Sequence, residues 1–375
     1  AYYVPVAHRA LSDSSTRQLA LPYVLGKLKP LIEDEGIGKI GQNVKYEFVL
    51  FEMYGIRLSG IAFDTMIAAH MLDSSRMSYS LDELCRIYLG HRMISYRDVT
   101  GTGKSRINFE EVELEAAKVY SCEDADVAML LSEKLAPGLE GAGLTRVFRD
   151  IELKFIDVLA RIEINGVKVD AARLKELSKE FDASLKDIEK AIYEEVGYEF
   201  NLNSPIQLRQ VLFETLSLPQ KKLTKTGGSS TDVEVLSDLS KFHPVPEKVL
   251  EHRTLSKLKS TYVDALPRLI NPKTGRLHTS FNPVGSSTGR LSSSEPNLQN
   301  IPIKTAQGRR IREAFIPEEG CIMLSADYSQ IELRLLAHFS GDESLVEAFM
   351  TGSDIHNRTA SEIFGVTPDL VTPEM

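Results

Sequence analysis

The stretch from Cys321 to Arg334 constrains the fold more than any other. Cys321–Ala326 is a short apolar run, the pattern of a buried strand, and beyond it Ile331, Leu335, Leu336 and Phe339 recur at helical spacing. Between the two stands one acid, Asp327. The chain therefore reads strand, carboxylate, helix. A strand that ends on Asp delivers a rigid anionic oxygen to a sheet edge, where a hard cation such as Mg²⁺ finds a ligand. The same pattern also describes an aspartate that only caps the helix at Ser329, and spacing alone leaves both readings open.

At 375 residues the chain has room for two or three domains. No apolar run approaches a membrane span, so no membrane partner is expected. Ala1-Tyr2-Tyr3-Val4 has neither a starting Met nor a signal-peptide pattern, so the chain is expected to be a fragment of a cytoplasmic protein. Cys85, Cys122 and Cys321 stand far apart without a CxxC, which favours reduced thiols over a zinc site. A net charge of -9 argues against coating nucleic acid with the whole surface, but it leaves room for a local basic groove.

Residues 1–143 alternate short strand-like runs with helices, the mark of an α/β domain. Strands are expected at Tyr2–Val6 and near Lys39–Asn43. Helices are expected from Gln18 to Glu33, through Phe48, Phe51 and Tyr54, and from Phe109 to Leu135, stopping before Pro137-Gly138. Residues 144–265 read as mainly helical. Asn165-Gly166 marks a turn, Asp170 an N-cap, and Leu174, Leu177, Phe181, Leu185, Ile188 and Ile192 form an apolar seam on one long helix. Residues 219–231 make a basic, glycine-rich loop, either a solvated tip or a phosphate contact through Lys221, Lys222 and Lys225. A basic helix carrying Arg253, Lys257 and Lys259 follows, ending near Tyr262. In the last part, 266–375, a turn at Asn271–Gly275 and a strand at His278–Phe281 precede Gly285–Ser294, small and hydroxylic around Arg290. Such a loop allows close approach to a phosphodiester, although most Ser/Gly loops are only loops.

Two motifs at compatible spacing carry a resemblance. Thr288-Gly289-Arg290-Leu291-Ser292-Ser293 with Pro296-Asn297-Leu298-Gln299-Asn300-Ile301-Pro302, and Asp327-Tyr328-Ser329-Gln330-Ile331-Glu332-Leu333-Arg334, resemble the first half of the catalytic core of bacterial DNA polymerases of family A. Asp354-Ile355-His356 continues the likeness, and Lys257–Tyr262 is similar to the base of that family's thumb. Upstream, Gly41–Tyr46 and Tyr120–Asp126 resemble two motifs of its 3′–5′ exonuclease domain. The resemblance implies a ribonuclease H-like α/β exonuclease domain (1–143), a helical thumb (144–265) and the first part of an α+β palm with the start of the fingers (266–375). It implies that Asp327, with Tyr328 beside it, binds the two Mg²⁺ ions of nucleotidyl transfer, a step that uses deoxynucleoside triphosphates on primer–template DNA. It further implies that Glu332 rejects ribonucleotides, that Gln330 and His356 face the incoming nucleotide, and that Arg290, Asn297, Gln299, Lys257 and Lys259 contact DNA.

For excision the resemblance implies Asp124 as a metal ligand, Tyr120 orienting the attacking water, and Glu47 where the family motif has Asp. The extra methylene moves the carboxylate by more than the tolerance of catalytic geometry, so the exonuclease is expected to be weakened or lost unless another rotamer reaches the metal. The family's first exonuclease acids and its second polymerase carboxylate have no counterpart between Ala1 and Met375. The chain alone is therefore expected not to polymerise, and a separate C-terminal half would be its partner if the gene is split. The competing readings are a stand-alone 3′–5′ exonuclease and a non-catalytic DNA-binding module.

Overall fold

The computed structural model describes residues 1–9, 18–220, 230–303 and 305–372. It divides into two compact units, Ala1–Pro317 and Glu318–Met375. No helix among the described residues is long and apolar enough to cross a membrane.

Unit 1 begins with α1 (Leu21–Glu33), β1 (Lys39–Gly41), α2 (Lys45–Glu52), β2 (Ile61–Asp64) and α3 (Thr65–Leu72). β1 and β2 are parallel, with Ile40 opposite Phe63 and Gly41 opposite Asp64. Both strands end beside a helix start, and one side chain serves both. The Asp64 carboxylate accepts the N–H groups of Met66 (2.9 Å) and Ile67 (3.1 Å) at the head of α3. It also accepts those of Val44 (2.7 Å) and Asn43 (3.3 Å) at the head of α2. These amides have no partner inside their helices, so the buried carboxylate satisfies donors that would otherwise be stranded.

Next come α4 (Leu81–Tyr88), α5 (Tyr96–Thr100), α6 (Leu114–Gly141), the one-turn α7 (Thr145–Val147) and α8 (Leu153–Asn165). The expected helix at Phe109–Leu135 is displaced: Phe109–Glu111 is a 3₁₀ turn, and α6 runs on through Pro137. Proline in a helix costs about 3 kcal/mol. Leu135 and Leu139, on either side of it, are 1% and 2% exposed. Each contributes roughly 1.5–3 kcal/mol, so burial wins. The core here, with Phe63, Ile67, Leu84, Leu131, Phe148 and Ile156, runs across the boundary expected near Gly143. The expected strand at Tyr2–Val6 does not form, because nothing among the described residues pairs with it. The Gln18 amide fixes this segment instead, bonding the backbone of His8 in both directions at 2.8 and 2.6 Å.

Gly166, at φ +58°, ends α8; a Cβ there would stand 2.4 Å from the Leu277 carbonyl. The chain then pairs β3 (Val167–Lys168) with β4 (Arg276–Leu277). Between them, α9 (Ala171–Val196) starts on an Asp170 cap (2.9 Å to the Arg173 N–H) and buries Leu174, Leu177, Phe181 and Ile192, as the seam requires. α10 (Pro205–Arg209), α11 (Val233–Leu239) and α12 (Pro244–Leu258) complete this helical region. β5 (Ser280–Asn282) and β6 (Ser292–Ser294) form an antiparallel hairpin, followed by α13 (Ala306–Arg312).

Unit 2 consists of α14 (Ile331–Ser340), α15 (Glu343–Thr351) and α16 (Ile355–Phe364). Each ends on a left-handed glycine: Gly341, Gly352 and Gly365. Asp342 and Asp354 cap the next helix in turn. The buried strand expected at Cys321–Ala326 is absent. These residues have no regular structure, and Ile322 and Leu324 are 87% and 82% exposed. An apolar run becomes a strand only against a partner, and none of the described residues pairs with this one.

Candidate functional site

Two neighbouring cavities in unit 1 bring the excision candidates together. The larger, about 1070 Å³, is lined by Glu47, Tyr96, Tyr120 and Asp124, with Gln42 and Ser121 among the rest. Tyr120 and Asp124 share one face of α6 at i,i+4 spacing, near enough for the hydroxyl and the carboxylate to act on each other. Burial holds the Tyr120 hydroxyl well above its ordinary pKa, with the Asp124 charge adding to it. Burial also raises Asp124, against the opposing pull of the nearby Tyr120 hydroxyl. The Glu47 carboxyl is pushed up to about 7, first by burial and then by the charge of Asp64. Its Oε2 is buried without a hydrogen-bond partner. The Phe109 ring packs against Tyr120 (5.8 Å) and stacks on Tyr96 (6.0 Å), which fixes the aromatic wall.

The second cavity, about 710 Å³, has Glu47 in common with the first. One wall is Gln42, Asn43, Tyr46 and Glu47; the other holds Asn282, at the end of β5, and Gly285–Ser287 from the connection to β6. Gly285 lets the loop approach Ser292 closely, since a Cβ would sit 2.4 Å from Ser292 Oγ and force that hydroxyl to rotate away. His70 Nε2 lies 3.1 Å from the Ser286 carbonyl and ties the loop to α3.

Arg290 is exposed on the same connection. Asn297 Oδ1 accepts from Ser293 Oγ (3.2 Å) and the Gln299 N–H (3.0 Å), and the Gln299 amide donates to the Leu291 carbonyl (3.2 Å). Both exposed side chains thus spend part of their hydrogen bonding on holding the hairpin in shape. Lys257 is exposed on α12. Lys259, also expected to contact DNA, is only 16% exposed at its side chain, and its Nζ bonds Asp264 (2.7 Å) and Asp182 (3.2 Å), linking the end of α12 to α9. Lys221, Lys222 and Lys225 lie outside the described residues.

In unit 2, Asp327 and Tyr328 are exposed ahead of α14. Asp327 does not cap that helix; Gln330, at φ +53°, occupies the N-cap position. Glu332 lies in the first turn, and His356 is exposed in the first turn of α16, its N–H donating to Asp354. Among the described residues, no three or more His, Cys, Asp or Glu side chains gather as a metal site. Asp64 and the buried pair Lys45–Glu163 escaped the sequence reading. Phe-Asp-Thr before an apolar helix is a cap signal that could have found Asp64, whereas nothing local marks the pair.

The 3′-5′ exonuclease family matches residues 2–140, and DNA polymerase family A matches residues 171–375. DNA polymerase I of Pseudomonas aeruginosa is 45% identical over 98% of this chain and 40% of its own length. That of Geobacillus stearothermophilus is 39% identical over 100% of this chain and 43% of its own. A solved structure, the POL domain of Pol1 from M. smegmatis in complex with DNA primer-template and dNTP, superposes with a TM-score of 0.81 at 37% identity, covering 96% of this chain and 60% of that one. The chain thus spans about 40% of the length of the curated relatives it matches.

Proposed function

The chain belongs to DNA polymerase family A, with a 3′–5′ exonuclease domain ahead of its polymerase segment, and from that premise we propose that it serves template-directed DNA synthesis together with excision of a misplaced 3′ terminus. In this reading residues 1–143 excise, 144–265 hold the duplex as a thumb, and the palm begins at 266.

The observation that carries the excision half is the meeting of Glu47, Tyr120 and Asp124 on one cavity. These residues fit a divalent cation: two carboxylates raised by burial face it, and a cation would satisfy the partnerless Glu47 oxygen. A bound Mg²⁺ supplies positive charge at the phosphodiester and lowers the pKa of a water. Asp124 would hold the charge in place, and Glu47 would join it through a rotamer that spans its extra methylene. The Tyr120 hydroxyl, one turn from Asp124, would orient the nucleophile. The groove shared through Glu47 leads a strand end from the Ser286 loop toward these groups.

For synthesis, Asp327 offers one carboxylate to Mg²⁺, with Tyr328 beside it. Gln330, Glu332 and His356 address the deoxynucleoside triphosphate. Arg290 donates to the minor-groove acceptors common to every correct pair at the primer terminus. A two-ion centre needs more than one carboxylate, so the described residues supply part of it.

The test uses the full-length protein, Mg²⁺ and a 3′-labelled mismatched primer. Tyr120→Phe and Asp124→Asn are expected to slow excision by about tenfold or more while synthesis continues. Asp327→Ala is expected to abolish synthesis and keep primer–template affinity within about twofold. Absence of excision in the parent protein would overturn the exonuclease half. Equal loss of synthesis and affinity in Asp327→Ala would make that residue structural and overturn the other.

A further inference from the structure

The excision chemistry leaves one buried polar junction unused. Lys45 and Glu163 form an ion pair in which each side chain is only 9% exposed. The Glu163 Oε1 that takes the Lys45 ammonium also accepts the Phe281 N–H at 2.6 Å. Lys45 Nζ lies 3.4 Å from Ser280 Oγ, and the Glu163 carbonyl meets His278 Nδ1 at 2.7 Å. One residue of α8 therefore binds α2 on one side and β5 on the other. These are the elements whose next residues form the two walls of the groove: Lys45 stands between Asn43 and Glu47, and Phe281 precedes Asn282.

A buried ion pair is a poor way to gain stability, since apolar side chains of similar volume often hold as well or better. What it adds is direction and distance, because charge-assisted hydrogen bonds are short and angular where apolar contacts are not. We propose that Glu163 is a positioning residue whose carboxylate sets the spacing between the groove wall that carries Glu47 and the wall that carries the Ser286 loop. A strand end crossing the groove then meets both walls in register. That consequence rests on the excision reading above; the spacing itself does not.

Hydrogen exchange on the 375-residue chain separates the two. Without DNA, Lys45→Met and Glu163→Gln each strand one buried charge. Exchange in both α2 and the 280–294 hairpin is expected to rise about tenfold, with α3 and α6 unchanged. The double variant is neutral and of similar shape but lacks the charge-assisted bond, so both walls are expected to stay looser than in the parent. Loosening of one wall only, loosening that spreads to α3 and α6, or a double variant that returns to the parent would overturn the proposal. If a single variant unfolds, Glu163→Asp takes its place: it keeps both charges, shortens the reach by one methylene, and must still loosen both walls together. A second arm adds a short oligothymidylate to the parent chain. Protection of both walls is expected, with weaker binding in the single and the double variants. If the strand protects neither wall, the excision reading of the groove fails, while the first arm still decides the role of Glu163.

Discussion

Replacing Glu47 by Gln should remove a loss of stability that the parent suffers around the excision cavity as pH rises. In the fold, burial and the neighbouring Asp64 charge push the Glu47 carboxyl up to about 7 from an ordinary 4.5. The direction follows from proton counting. Below 4.5 the group is protonated in both folded and unfolded chains and contributes nothing. Between 4.5 and about 7 the unfolded chain loses the proton while the folded one keeps it, so stability falls as pH rises. A displacement of this size corresponds to about 3 kcal/mol at full titration, and partial access to water lowers the expected cost to about 1–2 kcal/mol. Gln keeps the shape and cannot ionise. In urea titrations with chelator present, Glu47→Gln should match its parent near pH 4.5 and exceed it by about 1–2 kcal/mol at pH 8. Because both proteins carry the same other groups, the difference isolates this residue. Adding Mg²⁺ should narrow or invert the gap, since a cation rewards the ionised form that Gln lacks. A difference that stays constant from pH 5 to 8, or a variant less stable than the parent at pH 8 in chelator, would refute the reasoning.

Asp64→Ala removes the acceptor of four backbone N–H groups at the heads of α2 and α3 and should cost about 2–4 kcal/mol in thermal or urea unfolding; a loss below about 1 kcal/mol would show that water replaces it. Lys257→Ala should flatten the salt dependence of primer–template binding by about one unit of log–log slope, while Lys259→Ala should leave the slope unchanged and lower stability through its lost pair with Asp264. If the two variants behave alike in the binding titration, the structural assignment of Lys259 is wrong. Glu332→Ala in the full-length protein should raise ribonucleotide incorporation by about tenfold or more, and unchanged sugar selectivity in a competition assay would remove Glu332 from that role.

Most of unit 1 was legible in the sequence because its cues are local. The Asp170 cap, the Asn165-Gly166 turn and the seam from Leu174 to Ile192 each concern residues within a few turns of one another. So does the i,i+4 pair of Tyr120 and Asp124. What stayed hidden depends on distant partners. Lys45 meets Glu163 across 118 positions, and Lys259 is spent on Asp182 of another helix, so both lysines look like ordinary surface charges until the fold is known.

The strand–Asp–helix pattern shows where local reading runs out and where it could have gone further. Asp64 and Asp327 both close an apolar run ahead of a helix. Asp64 is followed at once by α3, so its carboxylate falls on the first free amides and works as a cap. Asp327 is separated from α14 by Tyr328, Ser329 and Gln330, and Gln330 takes the cap position. A cap reaches the second or third amide of its helix and no further. The interposed residues therefore remove the capping explanation for Asp327, which spacing alone had left open. An exposed carboxylate needs no structural partner, so the ligand role proposed for Asp327 rests on the family likeness of its motif, and mutating it first in the synthetic reaction tests that role directly.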